Sequence, residues 1–253
     1  MKTSISAFIV CSNEERQIAR ALNSVKFCDE IVVIVDDKSK DKTEEIARAF
    51  GAKVIINPWP GFVKQKAFGL KHCSSEWVLN IDADEELSPE LQQEIQQVCN
   101  GAPTHDGFEI NRVVYYLGRW WRRGGWYPEF RLRLVRRSAA TWGGDDPHEH
   151  AIVSGSTARL DSELYHYTHT EIADQIDTLN RFSSQAARTQ HQKKKRVSLT
   201  KLIGRPIARF IKFYILKRGY RDGIAGLVVA VSEAFYVFLK YAKLWELNSG
   251  LKK

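Results

Sequence analysis

The first hundred residues alternate short aliphatic runs with amphipathic segments, and this alternation constrains the fold more than any other feature of the chain. The aliphatic runs, which we expect to be strands, cover residues 5–10, 31–35, 53–56 and 77–81. The segments between them carry apolar residues at helical spacing. Because strands that alternate with helices form parallel sheets with helices on both faces, the sequence predicts an α/β fold built on a mostly parallel sheet.

The pattern changes beyond residue 101. Residues 108–116 and 130–135 are expected to be strands, and the segment LGRWWRRGGWYP between them is dense in arginine and tryptophan. Three helices are expected to follow, at about 170–191, 199–216 and 222–247. These patterns divide the chain into a first α/β half at 1–100, a second half of the same domain at 101–169, and a basic helical extension at 170–253.

The net charge of +8 conceals a sharp division along the chain. Residues 188–253 hold 16 Lys and Arg side chains against three acidic ones, whereas the rest of the chain holds 22 against 27. A basic tail beside apolar helices suits an anionic membrane surface, whereas a nucleic-acid-binding protein would spread its positive charge along a folded groove. We therefore expect a membrane partner and no nucleic acid. The alternative for the tail is a soluble helical subdomain, such as a dimer interface.

Other features bear on the location of the protein. The start of the chain, MKTSISAFIVCSNEE, fits neither a secretory signal nor a membrane span. The stretch 223–239 is shorter than the roughly 20 apolar residues that cross a bilayer. Four cysteines stand far apart, which argues against a zinc site or a disulfide framework. These features predict a cytoplasmic protein that is peripheral on the membrane.

Acidic residues follow two of the expected strands. Asp82 and Asp84 come after the fourth strand, and Asp36 and Asp37 come after the second. In an open α/β sheet the carboxyl ends of the strands face the crevice that binds ligands. Asp82 and Asp84 share one face of an extended segment, so that one can ligate Mg²⁺ or Mn²⁺ while the other holds the ion's waters or a sugar hydroxyl. Such an ion would bridge the two phosphates of a nucleotide diphosphate.

Other polar residues fit the same site. Asp36 and Asp37 can accept a hydrogen bond from a pyrimidine imide, Glu14 can reach a ribose hydroxyl, and Lys66 can meet a phosphate as a point charge. The alternative is that the acids after the fourth strand form a solvated loop that favours the dipole of the next helix. A dehydrogenase is disfavoured, because no Gly-x-Gly-x-x-Gly follows the first strand.

The order of these motifs resembles glycosyltransferase family 2, whose members have the Rossmann-type GT-A fold. The matching stretches are FIVCSNEE, EIVVIVDDKSKDKTEEIARAFGAKV, the Trp-Pro-Gly-Phe segment that runs into KQKAFGL, and WVLNIDADEELSPEL. WYPEFRLRLVRR, PHEH and the helical tail resemble the bacterial lipopolysaccharide inner-core β-1,4-glucosyltransferases of this family. The resemblance implies a GT-A-like α/β fold with a C-terminal helical extension that associates with the inner face of the bacterial inner membrane.

The resemblance also implies an activity. It is that of a metal-dependent, inverting hexosyltransferase that moves glucose or a related hexose from a UDP-sugar to a lipid-linked heptose of the lipopolysaccharide core. Glu14, Asp36 and Asp37 would then contact the uridine, Lys66 and Asp82 would help to bind the donor, and the Mg²⁺ or Mn²⁺ site would be centred on Asp84. Polyprenyl-phosphate and peptide acceptors stay open as alternatives, and so does a membrane-binding adaptor without activity.

Inversion at the anomeric carbon requires one general base on the acceptor side. Within PHEH and the residue before it, Glu149 is our first candidate and Asp146 the second, while His148 can instead ligate the metal or donate to a phosphate. The alternative is that residues 143–150 are only a polar turn.

The arginine- and tryptophan-rich segment is the candidate acceptor site. Aromatic faces stack on sugars and arginines pair with phosphates or carboxylates. The candidate acceptor-binding residues are Trp126, Tyr127, Arg131 and His148. The alternative is a hydrophobic strand pair whose arginines extend to water.

Overall fold

The computed structural model describes residues 3–145, 148–168 and 171–250, and for His148 it describes the backbone alone. The strands are β1 (Ile5–Cys11), β2 (Glu30–Asp36), β3 (Lys53–Asn57), β4 (Trp77–Asp82), β5 (Glu85–Leu87), β6 (Gly107–Tyr116), β7 (Arg119–Trp121), β8 (Phe130–Arg136), β9 (Ala140–Asp145), β10 (His148–Val153) and β11 (Thr157–His166). The α-helices are α1 (Ile18–Ser24), α2 (Thr43–Ala49), α3 (Phe62–His72), α4 (Pro89–Asn100), α5 (Ile172–Gln192), α6 (Arg205–Ile211) and α7 (Gly223–Asn248). Turns of π-helix, Thr200–Gly204 and Lys212–Leu216, extend α6 at both ends.

One large sheet has the strand order β3-β2-β1-β4-β8-β6-β11-β5, and β7 pairs with β6 beside this path. The neighbours β3, β2, β1 and β4 pair in parallel, and they come from the first hundred residues. The strands that follow join in antiparallel pairs, such as β4 with β8 and β6 with β8. The predicted α/β class with a helical C-terminal extension is confirmed, and the antiparallel strands extend its parallel part.

Strands β1, β2 and β4 of the parallel part are largely buried because they are aliphatic on both faces. All seven residues of β1 are buried, and so are the four central residues of β2. One face packs against residues such as Ile18, Leu22 and Leu91 of the covering helices, and the other packs against Leu70 of α3. Burying a large aliphatic side chain contributes about 1.5–3 kcal/mol, so these runs are the main source of stability in this part of the chain.

Helix starts follow local backbone preferences. The sequence predicts α1 from about residue 13, but Asn13 has a left-handed φ of 57° and the helix starts at Ile18. In α4 the predicted signals are present: Ser88 accepts a hydrogen bond from the backbone N–H of Leu91, and Pro89 occupies the first turn.

Strands β5, β7, β9, β10 and β11 are absent from the sequence prediction. Some are three residues long, and β9 to β11 mix polar residues with isolated apolar ones, so their periodicity is weak. Instead of a simple polar turn, the region around residue 145 is an antiparallel hairpin in which Asp145 pairs with His148. The hairpin carries Glu149 one residue beyond that pair.

The chain divides into two compact units. The first unit comprises Met1–Val113 and Pro128–Tyr167, and the second comprises Val114–Tyr127 and Thr168–Lys253. The arginine- and tryptophan-rich segment therefore belongs to the same unit as the C-terminal helices. The sequence pattern instead predicts that it belongs to the second half of the α/β domain, residues 101–169.

In the second unit, α7 packs against both α5 and α6. Several polar contacts hold these helices in register. Gln175 of α5 accepts hydrogen bonds from Tyr116 Oη at 2.7 Å and from Ser232 Oγ at 3.1 Å. Near the other end, Lys243 Nζ donates to the backbone carbonyl of Asn180 at 2.7 Å. These contacts, at Ser232 and Lys243 of α7, fix the position of α7 on α5.

Candidate active site

The acidic residues of the first unit meet at one edge of the sheet. In the register of the central strands, Val10 of β1 pairs with Asp82 of β4 on one side and with Ile34 of β2 on the other. Asp36 lies two residues further along β2. Because neighbouring strands are about 4.8 Å apart, strands β2 and β4 are separated by about 10 Å across β1. Asp36 and Asp82 therefore both lie where a ligand binds in an open α/β sheet.

Two buried cations hold the carboxylate of Asp82. Lys66 Nζ is 2.7 Å from Oδ1, and Arg133 Nη2 is 2.7 Å from Oδ2. Burial by itself raises the pKa of Asp82, but the charges of Arg133 and Lys66 outweigh it and hold the pKa well below its usual range. Asp82 is consequently an ionised carboxylate whose two oxygens are both occupied by the protein.

A second layer of charges supports this arrangement. Glu85 is completely buried, accepts from Arg133 Nη2 at 2.6 Å, and accepts from the backbone N–H of Asp82 at 2.8 Å. Arg112 lies 3.3 Å from Glu85 and donates to Glu129 at 2.8 Å. Burial lowers the pKa of Arg133, but the neighbouring carboxylates of Asp82 and Glu85 outweigh it and raise the pKa above its usual value. The network fixes the backbone around the Asp-x-Asp motif.

Lys66 connects the motif to the β9–β10 hairpin. Its Nζ lies 3.1 Å from Glu149 Oε1 and 3.2 Å from Asn80 Oδ1, in addition to its contact with Asp82. The Lys66 side chain is 2% exposed and that of Glu149 is 16% exposed. The candidate base and the first aspartate of the motif are therefore joined through one buried ammonium group.

Asp84, the second aspartate of the motif, has a different partner. Its Oδ2 lies 3.2 Å from His166 Nε2, at the end of β11. Burial raises the pKa of Asp84, but the charge of His166 and its hydrogen bond outweigh this effect, so the net pKa is below the usual value. The backbone N–H of Tyr167 donates to the Asp84 carbonyl at 2.9 Å, which ties the two segments together.

The chemistry of Asp84 and His166 fits a divalent cation. Carboxylate oxygen and imidazole nitrogen are both common ligands, and neighbouring ligands of one octahedral ion at about 2.1 Å lie about 3 Å apart, close to the distance between these two. His166 Nδ1 is buried without a hydrogen-bond partner among the described residues, so protein contacts leave the imidazole incompletely satisfied. No group of three or more potential ligands occurs within residues 3–145, 148–168 and 171–250, so other ligands would come from diphosphate or water.

The other candidate donor contacts lie at the same sheet edge. Asp36 accepts from Ser12 Oγ and from the backbone N–H of Lys38, both at 3.2 Å. Asp37 is exposed. Glu14 follows β1, and its backbone N–H donates to Thr43 Oγ1 at 2.7 Å. These contacts order the two loops that follow β1 and β2.

Three other candidate site residues, Asp146, His148 and Arg131, come from the acceptor-side part of the sequence. Asp146 lies outside the described residues, and His148 is described by its backbone pairing with Asp145. Arg131 is exposed and pairs with Glu129 at 2.6 Å in the first unit.

The aromatic candidates belong to the second unit. Trp126 donates from Nε1 to Glu233 at 2.9 Å and packs edge-on against Trp121, while Tyr127 is half-buried. In the same segment, Arg119 pairs with buried Asp222 at 2.7 Å. Trp126 and Arg119 therefore make contacts within the second unit, and the assignment of this segment to the acceptor stays a prediction.

Sequence reasoning missed several residues of the site. His166, Arg133, Glu85, Asn80 and Arg112 contribute to it, and three of them come from strands β6, β8 and β11. The signal that could have found Arg133 is the alternation in FRLRLVR, which places Arg131 and Arg133 on one face of β8. His166 carries no such local signal, since its partner is 82 residues away.

Comparison with known proteins gives a family match and full-length relatives. The model of glycosyl transferase family 2 matches residues 6–155. An uncharacterized glycosyltransferase of Rickettsia typhi is 36% identical over 255 residues, covering 96% of this chain and 87% of that protein. The lipopolysaccharide core biosynthesis glycosyltransferase LpsC of Rhizobium meliloti is 31% identical, covering 98% of this chain and 94% of that protein.

Solved structures show the same fold at low identity. The mannosyltransferase PcManGT of Pyrobaculum calidifontis, solved with GDP-Man and Mn²⁺, has a TM-score of 0.55 at 12% identity and covers 100% of this chain and 89% of that one. S. aureus TarS 1–349, solved with UDP-GlcNAc, has a TM-score of 0.51 at 15% identity and covers 98% of this chain and 92% of that one. These similarities support the GT-A-like architecture.

Proposed function

Because this chain belongs to glycosyl transferase family 2, we propose that it is an inverting transferase that moves a hexose, with glucose as the first candidate, from a UDP-sugar to the lipopolysaccharide core. The observation that carries the proposal is the joining of Asp82 to Glu149 through Lys66, beside the Asp84–His166 pair. This arrangement supports a site in which a donor diphosphate and an acceptor hydroxyl meet at one edge of the sheet.

The donor side of the proposed site consists of the acidic residues at the carboxyl edge of the sheet. Glu14, Asp36 and Asp37 are assigned to the uridine and its ribose, because they follow the neighbouring strands β1 and β2. Asp84 and His166 would hold Mg²⁺ or Mn²⁺. When bound, the cation would neutralise the charge of the departing diphosphate. Asp82 was a candidate ligand from sequence, but its oxygens are paired with Lys66 and Arg133, which favours a role in shaping the donor site.

On the acceptor side, Glu149 is assigned as the general base. Its carboxylate removes the proton from the acceptor hydroxyl while the acceptor oxygen forms a bond to the anomeric carbon. The bond from that carbon to the diphosphate oxygen breaks in the same displacement, and UDP leaves with the electron pair. The face of attack is opposite to the leaving group, so the anomeric configuration inverts. A positioned base contributes about 10²–10⁴-fold to such a step.

The relative with a stated pathway role supports the choice of acceptor. LpsC of Rhizobium meliloti is named for lipopolysaccharide core biosynthesis and matches this chain over nearly its whole length. We therefore favour a heptose of a lipid-linked core oligosaccharide as the acceptor over a polyprenyl phosphate or a peptide.

The second unit supports attachment to an anionic membrane. Large apolar residues are exposed at helical spacing along α6 and α7 and the turns beside them: Ile203, Ile207, Ile211, Ile215, Ile224, Leu227, Val231 and Phe235. Over described residues 199–250, every charged side chain in the exposed class is basic: Arg205, Lys212, Lys217, Arg218 and Arg221. Asp222 and Glu233 are neutralised internally by Arg119 and Arg209. Basic and apolar groups side by side suit an interface rich in anionic lipid.

The attachment is assigned as peripheral. Among the described residues, one helix, Gly219–Asn248, is long and apolar enough by length and composition to cross a membrane. This helix is longer than the apolar stretch 223–239 identified from sequence. However, Ser232 and Lys243 of α7 are hydrogen-bonded to α5. Helix α5 exposes the charged residues Asp177, Arg181 and Arg188. Carrying such charges into hydrocarbon would cost several kcal/mol. We therefore place α6 and α7 in the plane of the cytoplasmic interface.

A donor panel tests the proposed reaction. Purified protein is incubated with UDP-glucose, UDP-galactose and UDP-GlcNAc, with Mn²⁺ or with EDTA, and with lipopolysaccharide from a strain that lacks this gene. We expect metal-dependent release of UDP and sugar transfer with one hexose donor, and loss of transfer with retained UDP binding in Glu149→Gln. Absence of both UDP binding by calorimetry and transfer would favour the adaptor alternative, and wild-type turnover by Glu149→Gln would remove that residue from its role.

A further inference from the structure

The ammonium group of Lys66 is buried between two carboxylates that the proposed mechanism uses. Its three measured neighbours are Asp82 Oδ1 at 2.7 Å, Glu149 Oε1 at 3.1 Å and Asn80 Oδ1 at 3.2 Å. Asp82 and Asn80 accept hydrogen bonds from this ammonium group, and Glu149 Oε1 forms an ion pair with it. A donor phosphate would have to displace one of these oxygens to reach Nζ. The arrangement therefore argues against the phosphate contact that the sequence suggested for Lys66.

The two carboxylates depend on Lys66 to different degrees. Asp82 is also held by Arg133 at 2.7 Å through its other oxygen, and the backbone around it is fixed by Glu85. Glu149 comes from the β9–β10 hairpin, and within the part of the chain that the structure describes the cation that pairs with it is Lys66. Removing the ammonium group would thus leave Asp82 in place but release the side chain of Glu149.

The surroundings of Lys66 fix its position. The residue lies on α3, with its Nζ 5.8 Å from the ring centre of Trp142 on β9. Trp142 packs edge-on against Phe8 of β1, at 5.6 Å between ring centres. Because the Lys66 side chain is 2% exposed, its ammonium group interacts more strongly with its carboxylate partners than it would in water. The contact is therefore suited to hold a side chain in one orientation.

We propose that Lys66 is a positioning residue for the general base: it binds Oε1 of Glu149 and so directs Oε2 towards the acceptor hydroxyl. The same contact links the hairpin that carries the base to the strand that carries the Asp-x-Asp motif. This inference rests on the proposed function, because it takes Glu149 as the base. It assigns to Lys66 an effect on turnover with little effect on the affinity for UDP.

A double-mutant cycle tests the proposal. The variants are Lys66→Gln, Glu149→Gln and the double variant, with Lys64→Gln as the control because Lys64 is exposed two residues away on α3. We expect Lys66→Gln to lower kcat for transfer by about 100-fold, within the range for a misplaced base. The Kd for UDP with Mn²⁺ should change less than about threefold. The double variant should be no more than about threefold slower than Glu149→Gln, because residues that act as a unit are not additive.

Other outcomes would overturn the proposal. Losses in kcat that multiply in the double variant, or a loss of UDP affinity as large as the loss of kcat, would mean that Lys66 acts on the donor directly. Thermal melting shows whether Lys66→Gln is folded, and Lys66→Arg, which keeps the charge, should recover at least about tenfold of the lost kcat; no recovery in a folded Lys66→Arg also contradicts the proposal. Failure of the wild-type protein to bind UDP at all would instead refute the proposed function.

Discussion

The carboxylate of Asp84 lies 3.2 Å from Nε2 of His166, although 82 residues separate them in the chain. The pairing of β5 with β11 brings them together, since His166 is opposite Glu85 in that register. Burial raises the pKa of Asp84, but the charge of His166 outweighs this effect. The net pKa is below its usual value, so the carboxylate is ionised at neutral pH. An ionised carboxylate beside an imidazole is a suitable pair of ligands for the cation that the proposed reaction uses.

Replacing Asp84 should abolish the dependence of UDP binding on the cation, and replacing His166 should weaken it. We expect Asp84→Ala to abolish transfer and to lower UDP affinity in Mn²⁺ to the level measured in EDTA. His166→Ala should weaken the Mn²⁺ effect by at least about 10-fold, because loss of a residue that only orients a metal ligand already costs about 10–100-fold in metal affinity. Calorimetric titration of UDP with and without Mn²⁺ measures both effects.

Glu90→Gln is the matched control for these variants. Glu90 is exposed in the first turn of α4, six residues after Asp84, and should leave the Mn²⁺ effect unchanged. If His166→Ala retained full Mn²⁺-dependent affinity, the assignment of His166 as a ligand would be wrong.

Replacing Arg133 should destabilise the first unit strongly. Arg133 is 6% exposed and bonds to Asp82, Glu85 and Asn80. Arg133→Met therefore removes one cation from Asp82 and from completely buried Glu85, and leaves Lys66 and Arg112 as their partners. Breaking a buried pair in this way costs about 3–5 kcal/mol. Urea unfolding measures the change in the free energy of unfolding.

Arg131→Met provides the comparison on the same strand. Arg131 is exposed and its pair with Glu129 is at the surface, where such pairs contribute about 0–1 kcal/mol. Equal losses for the two variants would show that the buried network contributes little to stability.

Glu30 should make stability depend on acid pH. Burial raises its pKa, but hydrogen bonds from Ser6 Oγ, from the backbone N–H of Ser74 and from Ser74 Oγ outweigh it, and the pKa is lowered from 4.5. Because the folded pKa is below the unfolded one, the stabilisation is complete above the unfolded pKa and is lost as pH falls through the folded pKa. We expect Glu30→Gln to lower the free energy of unfolding at pH 7 by about 1–2 kcal/mol.

The difference between wild type and Glu30→Gln should shrink as the pH falls below about 4, and unfolding curves from pH 7 to pH 3 measure it. Glu44→Gln is the control, since the exposed pair of Glu44 with Arg48 should contribute less than about 0.5 kcal/mol. A Glu30→Gln deficit that is constant over this range would contradict a charge-dependent effect.

The exposed apolar residues of the second unit should be needed for membrane binding. Leu216 and Ile224 are 72% and 82% exposed, so Leu216→Asp with Ile224→Asp should spare the fold. We expect this variant to bind vesicles of phosphatidylglycerol and phosphatidylethanolamine at least about tenfold more weakly, because each change removes apolar area and adds a negative charge. Co-sedimentation measures the bound fraction.

Charge reversal tests the electrostatic part of the same contact. Lys212→Glu with Lys217→Glu should weaken binding to anionic vesicles and leave the weak binding to neutral vesicles unchanged. Ile56→Asp, at an exposed position of β3 in the first unit, is the control and should bind like wild type. If both double variants sedimented with vesicles like the wild type, the proposed membrane contact would be wrong. The alternative, a soluble helical subdomain, would then be favoured.

Much of the first hundred residues could be predicted from sequence because local signals there agree. Continuous aliphatic runs predict buried strands, and the cap at Ser88 marks the start of α4. The positions of Asp36 and Asp82 after such strands are enough to place both at one sheet edge. The antiparallel strands could not be predicted in the same way, because short or polar strands such as β5 and β9 have little periodicity of their own and depend on their neighbours.

The sequence by itself determined the α/β class, the acidic sheet edge and the basic tail, because these follow from the order of residues along the chain. Only the tertiary structure decided which charges pair. It joined Lys66 to Asp82 and Glu149, and it brought His166 to Asp84, through strand pairings between distant segments. The physical reason is that a buried charge requires a partner, and that partner is selected by three-dimensional proximity rather than by position in the sequence.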